Sequence, residues 1–132
     1  MKNSSQNPFK IITDAGYSTK AISILEKQLN FGTMEKPDIT ARYQSDCGDT
    51  LILYLKCEKD TITDAKYEYI GCRGLEAAAS ALTEIIKGKT IHEAMQISFD
   101  DVLLFLEGIP EPKYECIHLA LNTLREGTKN IR

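Results

Sequence analysis

The chain has no apolar run approaching the 18 or so residues needed to cross a bilayer and no charged-then-apolar leader behind Met1, so neither a membrane span nor a signal peptide is expected. A block of Lys and Arg is also missing. Sixteen basic residues against nineteen acidic ones give a net charge of −3, which argues against nucleic acid as a main partner. There is no internal repeat and no low-complexity stretch. Ser-His-Asp spacing, H-E-x-x-H and a dinucleotide fingerprint are absent as well, which argues against a conventional hydrolase or oxidoreductase. Gly88-Lys89-Thr90 has the look of a P-loop end, but Thr83 stands where the first glycine is required.

What is present suits one cytoplasmic globular domain. The length is 132 residues, with 42% hydrophobic and 27% charged residues. A chain of this size buries roughly two thirds of its unfolded surface and needs no disulfide to stay folded. Residues 1–9 are polar and read as a mobile tail, leaving 10–132 as a single domain.

The apolar spacing predicts a first helix from Ser18, an N-cap, through Ala21, Ile22, Leu25 and Leu29, stopped by Gly32 and Pro37. Three period-two segments follow: Ile39/Ala41/Tyr43, Leu51/Leu53/Leu55/Cys57 and Ala65/Tyr67/Tyr69. A helix is expected over Leu75–Lys87 with Gly88 as its stop. Thr90 with Glu93, and Ser98 with Asp101, make two capping boxes. A last helix is expected from about Lys113 to Glu126, facing the core with Ile117, Leu121 and Leu124 and ended by Gly127. Strands first and helices later give an α+β fold, a three-stranded antiparallel sheet with helices on one face.

The four cysteines, Cys47, Cys57, Cys72 and Cys116, contain no C-x-x-C pair. Three of them lie where elements begin. Cys47 precedes Gly48-Asp49 in a turn, Cys72 follows Gly71 and opens a helix, and Cys116 lies in the first turn of the last helix. A helix start offers unpaired N–H groups and a positive dipole end, which favour thiolate. Cys57 instead shares the apolar strand face of Leu51, Leu53 and Leu55 and reads as a small core residue. From the residues alone, a shared metal or sulfur site for the other three is one of two open readings.

Together, Cys47-Gly48-Asp49, Gly71-Cys72, Lys87-Gly88-Lys89-Thr90, Pro110-x-Pro112-Lys113-x-x-Cys116 and, in the first helix, Tyr17-Ser18-x-Lys20 resemble the NifU/IscU family of iron–sulfur cluster assembly scaffolds. The resemblance implies the SufE/NifU-like fold and a scaffold that is not an enzyme. It makes Cys47, Cys72 and Cys116 ligands of a transient [2Fe–2S] cluster or its iron, with zinc as an alternative occupant. Asp49 matches the aspartate beside that site, and Lys113 a lysine of the chaperone-recognition stretch. It further implies a cysteine desulfurase delivering persulfide sulfur, with Cys116 as candidate acceptor, apo iron–sulfur acceptor proteins receiving the cluster, and a metal-dependent homo-oligomer as one open state.

Two departures from the family stand out. The family's histidine before the third cysteine is Glu115 here, a harder ligand than imidazole, so the cluster should be more labile or take its fourth ligand from Asp49 or outside. The stretch that reads Leu-Pro-Pro-Val-Lys in the family is Ile109-Pro110-Glu111-Pro112-Lys113, which counts against docking of a dedicated Hsp70-type chaperone. His118 is turned about 200° around the helix from Cys116 and His92 lies elsewhere, so both read as surface histidines. Glu107, Glu111 and Glu115 read as a solvated acidic run. Arg73, beside Cys72, reads either as a stabiliser of the thiolate or as a solvated side chain. A zinc-binding, SufU-like sulfur acceptor that stimulates a desulfurase is the alternative function: the missing histidine favours it, and the missing SufU insertion opposes it.

Overall fold

The computed structural model describes residues 16–129; the expected tail at 1–9 lies outside them. The chain order is α1 (Thr19–Lys27), β1 (Ile39–Gln44), β2 (Thr50–Glu58), β3 (Thr61–Ile70), α2 (Arg73–Ile86), α3 (Ile91–Ala94), α4 (Phe99–Leu106), a 3-10 turn (Glu111–Lys113) and α5 (Tyr114–Thr128). The strands form an antiparallel meander in the order β1-β2-β3, with helices against one face. This is the α+β architecture that the patterning predicts.

Register explains the buried face. Ala41 pairs with Leu53, and Leu53 with Tyr67; Ile39 pairs with Leu55, and Leu55 with Ala65. All six are buried, while Thr40, Arg42 and Lys56, pointing the other way, are exposed. The alternation fails at both ends of the sheet. Tyr43 is 36% exposed. At the other end a register shift between Lys56 and Cys57 sets Cys57 opposite Ile62, and the Cys57 N–H donates to Asp38 Oδ2 at 2.7 Å. Cys57 is therefore half-buried at the margin of the core rather than inside it. A period-two reading carries a strand face straight through such a bulge and misses the turn it introduces.

Helix α2 is central. Leu75, Ala77, Ala78, Ala79, Ala81, Leu82 and Ile86 are fully buried, because β3 and helices α1, α4 and α5 pack around it. Ser18 caps α1 by accepting from the Ala21 N–H, and both expected capping boxes close, Thr90 with Glu93 and Ser98 with Asp101.

Two helix ends differ from expectation. Helix α1 stops at Lys27 because Gln28 turns left-handed at φ 50°. From there the chain joins the open edge of β3: the Tyr67 N–H donates to Asn30 O, and the Gly32 N–H to Tyr67 O. Helix α5 runs through Gly127 to Thr128. A Cβ on Gly127 would stand 2.3 Å from Ala41 Cβ, so this glycine provides close approach of α5 to β1 and does not end the helix.

Candidate functional site

Three element ends meet at one end of the sheet: the β1–β2 turn, the start of α2 and the start of α5. The turn is closed by Ser45 N–H to Asp49 O at 2.8 Å and Gly48 N–H to Ser45 O at 2.9 Å, with Gly48 left-handed at φ 97°. Its tip carries Cys47, which is exposed. A cleft of about 420 Å³ lies between these ends, lined by Cys47, Asp49, Cys72, Lys113, Glu115 and Cys116, with Tyr43, His118 and Asn122 at its rim. The sequence-predicted site residues are thus brought together, and Cys57 is not among them. It lies seven residues beyond Thr50 along β2, roughly 23 Å from the cleft end of the strand.

The geometry at the centre is close. Cys72 Sγ and Cys116 Sγ are 3.6 Å apart. A Cβ on Gly71 would meet Asp49 Cγ at 3.2 Å, so the bare glycine lets the aspartate lie against the start of α2. A Cβ on Gly74 would meet the Lys113 stem at 3.0 Å, so Gly74 seats Lys113 over the pair.

Charge in the pair is unequal. The Cys116 S–H donates to Cys72 and stabilises its thiolate, lowering Cys72 to about 5; burial opposes this, and the Leu75 and Gly74 amides and the Lys113 ammonium assist. No N–H of that first turn closes a full cap hydrogen bond on the side chain, so the sulfur–sulfur bond carries most of the effect. Cys116, 8% exposed, is pushed up by the same bond, by burial and by the neighbouring Cys72 charge. The metal-free pair holds one proton, on Cys116. Burial, followed by the negative charge of the cysteine pair, pushes the buried Tyr17 hydroxyl up to about 12.

Arg73, next to Cys72 in sequence, is held by a buried acid. Its guanidinium donates to Glu76 Oε1 at 3.0 Å, and the Tyr69 hydroxyl donates to the same oxygen at 2.9 Å. Glu76 is only 1% exposed, and these two donors satisfy it. His118 is exposed, as expected, but it stands at the cleft rim, stacked on Phe99 with ring centroids 4.8 Å apart. Sequence reasoning missed that location, as it missed Tyr43, Asn122 and the burial of Tyr17 beside the cysteine pair. Of these, only Tyr17, within its Tyr-Ser-x-Lys motif, had left a signal. His92 is exposed on α3, outside the cleft.

Among the described residues, no three His, Cys, Asp or Glu side chains stand close enough together, as placed, to hold a metal ion. Among the described residues the Cys72 and Cys116 sulfurs are in contact, and Cys47 and Asp49 line the same cleft without reaching them. Chemically the set suits soft divalent metals: thiolates bind iron and zinc well, and one carboxylate in place of a fourth thiolate weakens the hold.

Comparison with known proteins bears on the family and the fold. The model of the NifU-like N terminal domain family matches residues 16–132. Iron-sulfur cluster assembly scaffold protein IscU 1 of Archaeoglobus fulgidus is 36% identical over 110 residues, covering 83% of this chain and 72% of that protein. Nitrogen fixation protein NifU of Nostoc sp. is 40% identical over 88 residues, covering 65% of this chain and 29% of that longer protein. Among solved structures, the N-terminal part of a NifU-like protein from Brucella abortus superposes with a TM-score of 0.71 at 19% identity, covering 91% of this chain and 96% of that one. A SUF-system scaffold protein from Fervidobacterium islandicum does so with a TM-score of 0.67 at 23% identity, covering 84% and 95%. At these identities the structures speak for the fold alone.

Proposed function

Since the chain belongs to the NifU-like N-terminal domain family, we propose that it is a cytoplasmic scaffold on which iron–sulfur clusters are assembled and passed on. Its site is Cys47, Cys72, Cys116 and Asp49, with Glu115 at the margin, and the cluster is its cargo. The observation that carries this reading is the convergence of three cysteines from three element ends on one cleft, two of them 3.6 Å apart. Cys72 as a resting thiolate is ready to take iron. Exposed Cys47 on its turn is free to close over the site, and a carboxylate as fourth ligand leaves a [2Fe–2S] unit transferable to apo acceptor proteins.

Sulfur arrives from a cysteine desulfurase as a persulfide. A scaffold thiolate attacks the terminal sulfur, a new S–S bond forms, and the desulfurase thiolate leaves, so the exchange needs no outside oxidant. Cys116 is the proposed acceptor, and to act it must first give its proton to Cys72 or release it to solvent as a metal binds the sulfur. Cys72 is the competing acceptor. Mass spectrometry of the peptides after one desulfurase turnover decides between them by which peptide gains one sulfur.

Anaerobic incubation with ferrous iron, a thiol and sulfide should give visible charge-transfer absorption. Cys47→Ser, Cys72→Ser and Cys116→Ser should each lose it and Cys57→Ser should keep it; a colourless wild type with its thiols reduced refutes the proposal. Glu115, in the place of a family histidine, favours one second reading: three thiolates and Asp49 holding zinc in a sulfur acceptor that stimulates a desulfurase. Protein purified without added iron that retains zinc, takes up persulfide and builds no cluster supports that reading instead.

A further inference from the structure

Helix α4 is apolar nearly all round, with the sequence Phe-Asp-Asp-Val-Leu-Leu-Phe-Leu, and a helix of that kind is normally enclosed. Here only part of it is. Val102 and Leu106 are fully buried, Phe105 lies under the Lys20 ammonium at 3.9 Å, and Leu104 is left 74% exposed. Leu104 forms the wall between two hollows. One is lined by Asp100, Leu103, Leu104, Glu107 and Gly108, the other by Ile85, Lys89, Ile97, Asp101, Leu104 and Phe105. Neither shares a residue with the cysteine cleft.

The first hollow follows one stripe of the helix, Asp100, Leu103, Leu104 and Glu107, at spacing i, i+3, i+4 and i+7. Two carboxylates thus stand roughly 10 Å apart along the axis with two leucines between them. We propose that this face docks a basic amphipathic segment of another polypeptide, with an apolar pair flanked by Lys or Arg at the same seven-residue spacing. Charge selects this occupant over a second copy of the chain. Antiparallel pairing of two α4 helices would set Asp100 and Asp101 of one against Glu107 of the other, and parallel pairing would set like against like. The proposal does not depend on the cluster function.

The test uses the full chain, isotopically labelled, and a synthetic helical peptide made of a doubled Lys-Ala-Ala-Leu-Leu-Ala-Ala-Lys unit, with a Glu-for-Lys counterpart as control. Binding of the Lys peptide should shift amide resonances of α4 and leave Cys47–Asp49 unmoved. Leu104→Glu, at an exposed position, should keep the circular dichroism of the wild type and weaken binding about tenfold or more. Asp100→Asn and Glu107→Gln should each weaken it about two- to fivefold and reduce its salt dependence. Equal binding of the Glu peptide, shifts centred on the cysteine cleft, or no shift of α4 overturns the proposal. Self-association abolished by Leu104→Glu assigns the face to a second copy and overturns it too. So does a fall in stability of Leu104→Glu with no peptide binding, which makes the exposed leucine a structural contact of the chain itself.

Discussion

Alkylation of Cys72 tests the unequal sharing of charge in the cysteine pair, provided that the right quantity is measured. With Cys72 lowered from 9.0 to about 5, its thiolate fraction at neutral pH rises about a hundredfold over an ordinary thiol. Nucleophilicity falls with basicity, by a Brønsted factor of about 0.4–0.5 per unit, so a drop of this size costs roughly 40- to 100-fold in intrinsic rate. The two effects nearly cancel at neutral pH, and a single rate there says almost nothing. The pH profile does discriminate. For Cys72 the iodoacetamide rate should differ by less than about twofold between pH 6 and pH 8, whereas an ordinary thiol gains about 90-fold. Trypsin isolates the relevant thiols, since Tyr67–Arg73 contains only Cys72 and Tyr114–Arg125 only Cys116. Chelator-treated protein, alkylated at each pH and read by peptide mass spectrometry, supplies the profile. Cys116→Ala removes the largest stabiliser of the Cys72 thiolate and should steepen the profile. Cys116→Ser, which keeps a donor, should steepen it less. A wild-type Cys72 that gains the full 90-fold while folded refutes the assignment of charge.

The same pair makes stability depend on pH. Cys72 is lowered in the fold, so the stability it contributes is present above its unfolded value of 9.0 and is lost as pH falls toward about 5. Cys116 is raised, and its contribution is present below its unfolded value and lost as pH climbs past it. The urea midpoint of metal-free protein should therefore rise from pH 5.5 to 8 and fall above about 9, with Cys72→Ser flatter over the lower range. Gly127→Ala sets a methyl 2.3 Å from Ala41 Cβ and should cost about 1–2 kcal/mol by urea denaturation, overpacking outweighing the better helix propensity; Ala41→Gly in the same chain should restore part of it. Glu115→His puts imidazole at the cleft margin and should lengthen the lifetime of the assembled cluster severalfold in air, followed by loss of its visible absorption. An unchanged lifetime removes Glu115 from any role in lability.

Much of the fold was legible because its signals are local. Ser18, Thr90 and Ser98 mark helix starts by capping chemistry within four residues of themselves, and the structure closes all three caps. Alternation along β2 and β3 gave the buried sheet face in the same way. The placement of Cys47, Cys72 and Cys116 at element ends was also a local reading. Their convergence was not, since only the meander and the packing of α2 against α5 bring those ends together. What stayed hidden depends on partners far away in sequence. Gly127 looks like a helix terminator until Ala41 is seen beneath it, and Leu29 continues the helical spacing of α1 although Gln28 has already turned the chain toward the edge of β3.

The electrostatics of the site show the same division. Arg73, next to Cys72, is the cation that sequence adjacency points to, yet buried Glu76 takes its guanidinium with help from Tyr69. A carboxylate at 1% exposure without donors would be costly, so the buried acid sets the direction of the arginine more firmly than a half-exposed sulfur does. Lys113 is a cation whose charge helps lower Cys72, and Gly74 is the residue that admits it, because any side chain there would collide with the lysine stem at 3.0 Å. Gly74→Ala should therefore displace Lys113 and steepen the Cys72 alkylation profile in the same direction as Cys116→Ala but by less, since the sulfur–sulfur hydrogen bond is the larger cause. Arg73→Gln should alter that profile less than Gly74→Ala does, while lowering stability through the loss of one of the two donors to buried Glu76. If Arg73→Gln steepens the profile and Gly74→Ala does not, the charge at this site comes from the neighbour in sequence, and the packing argument is wrong.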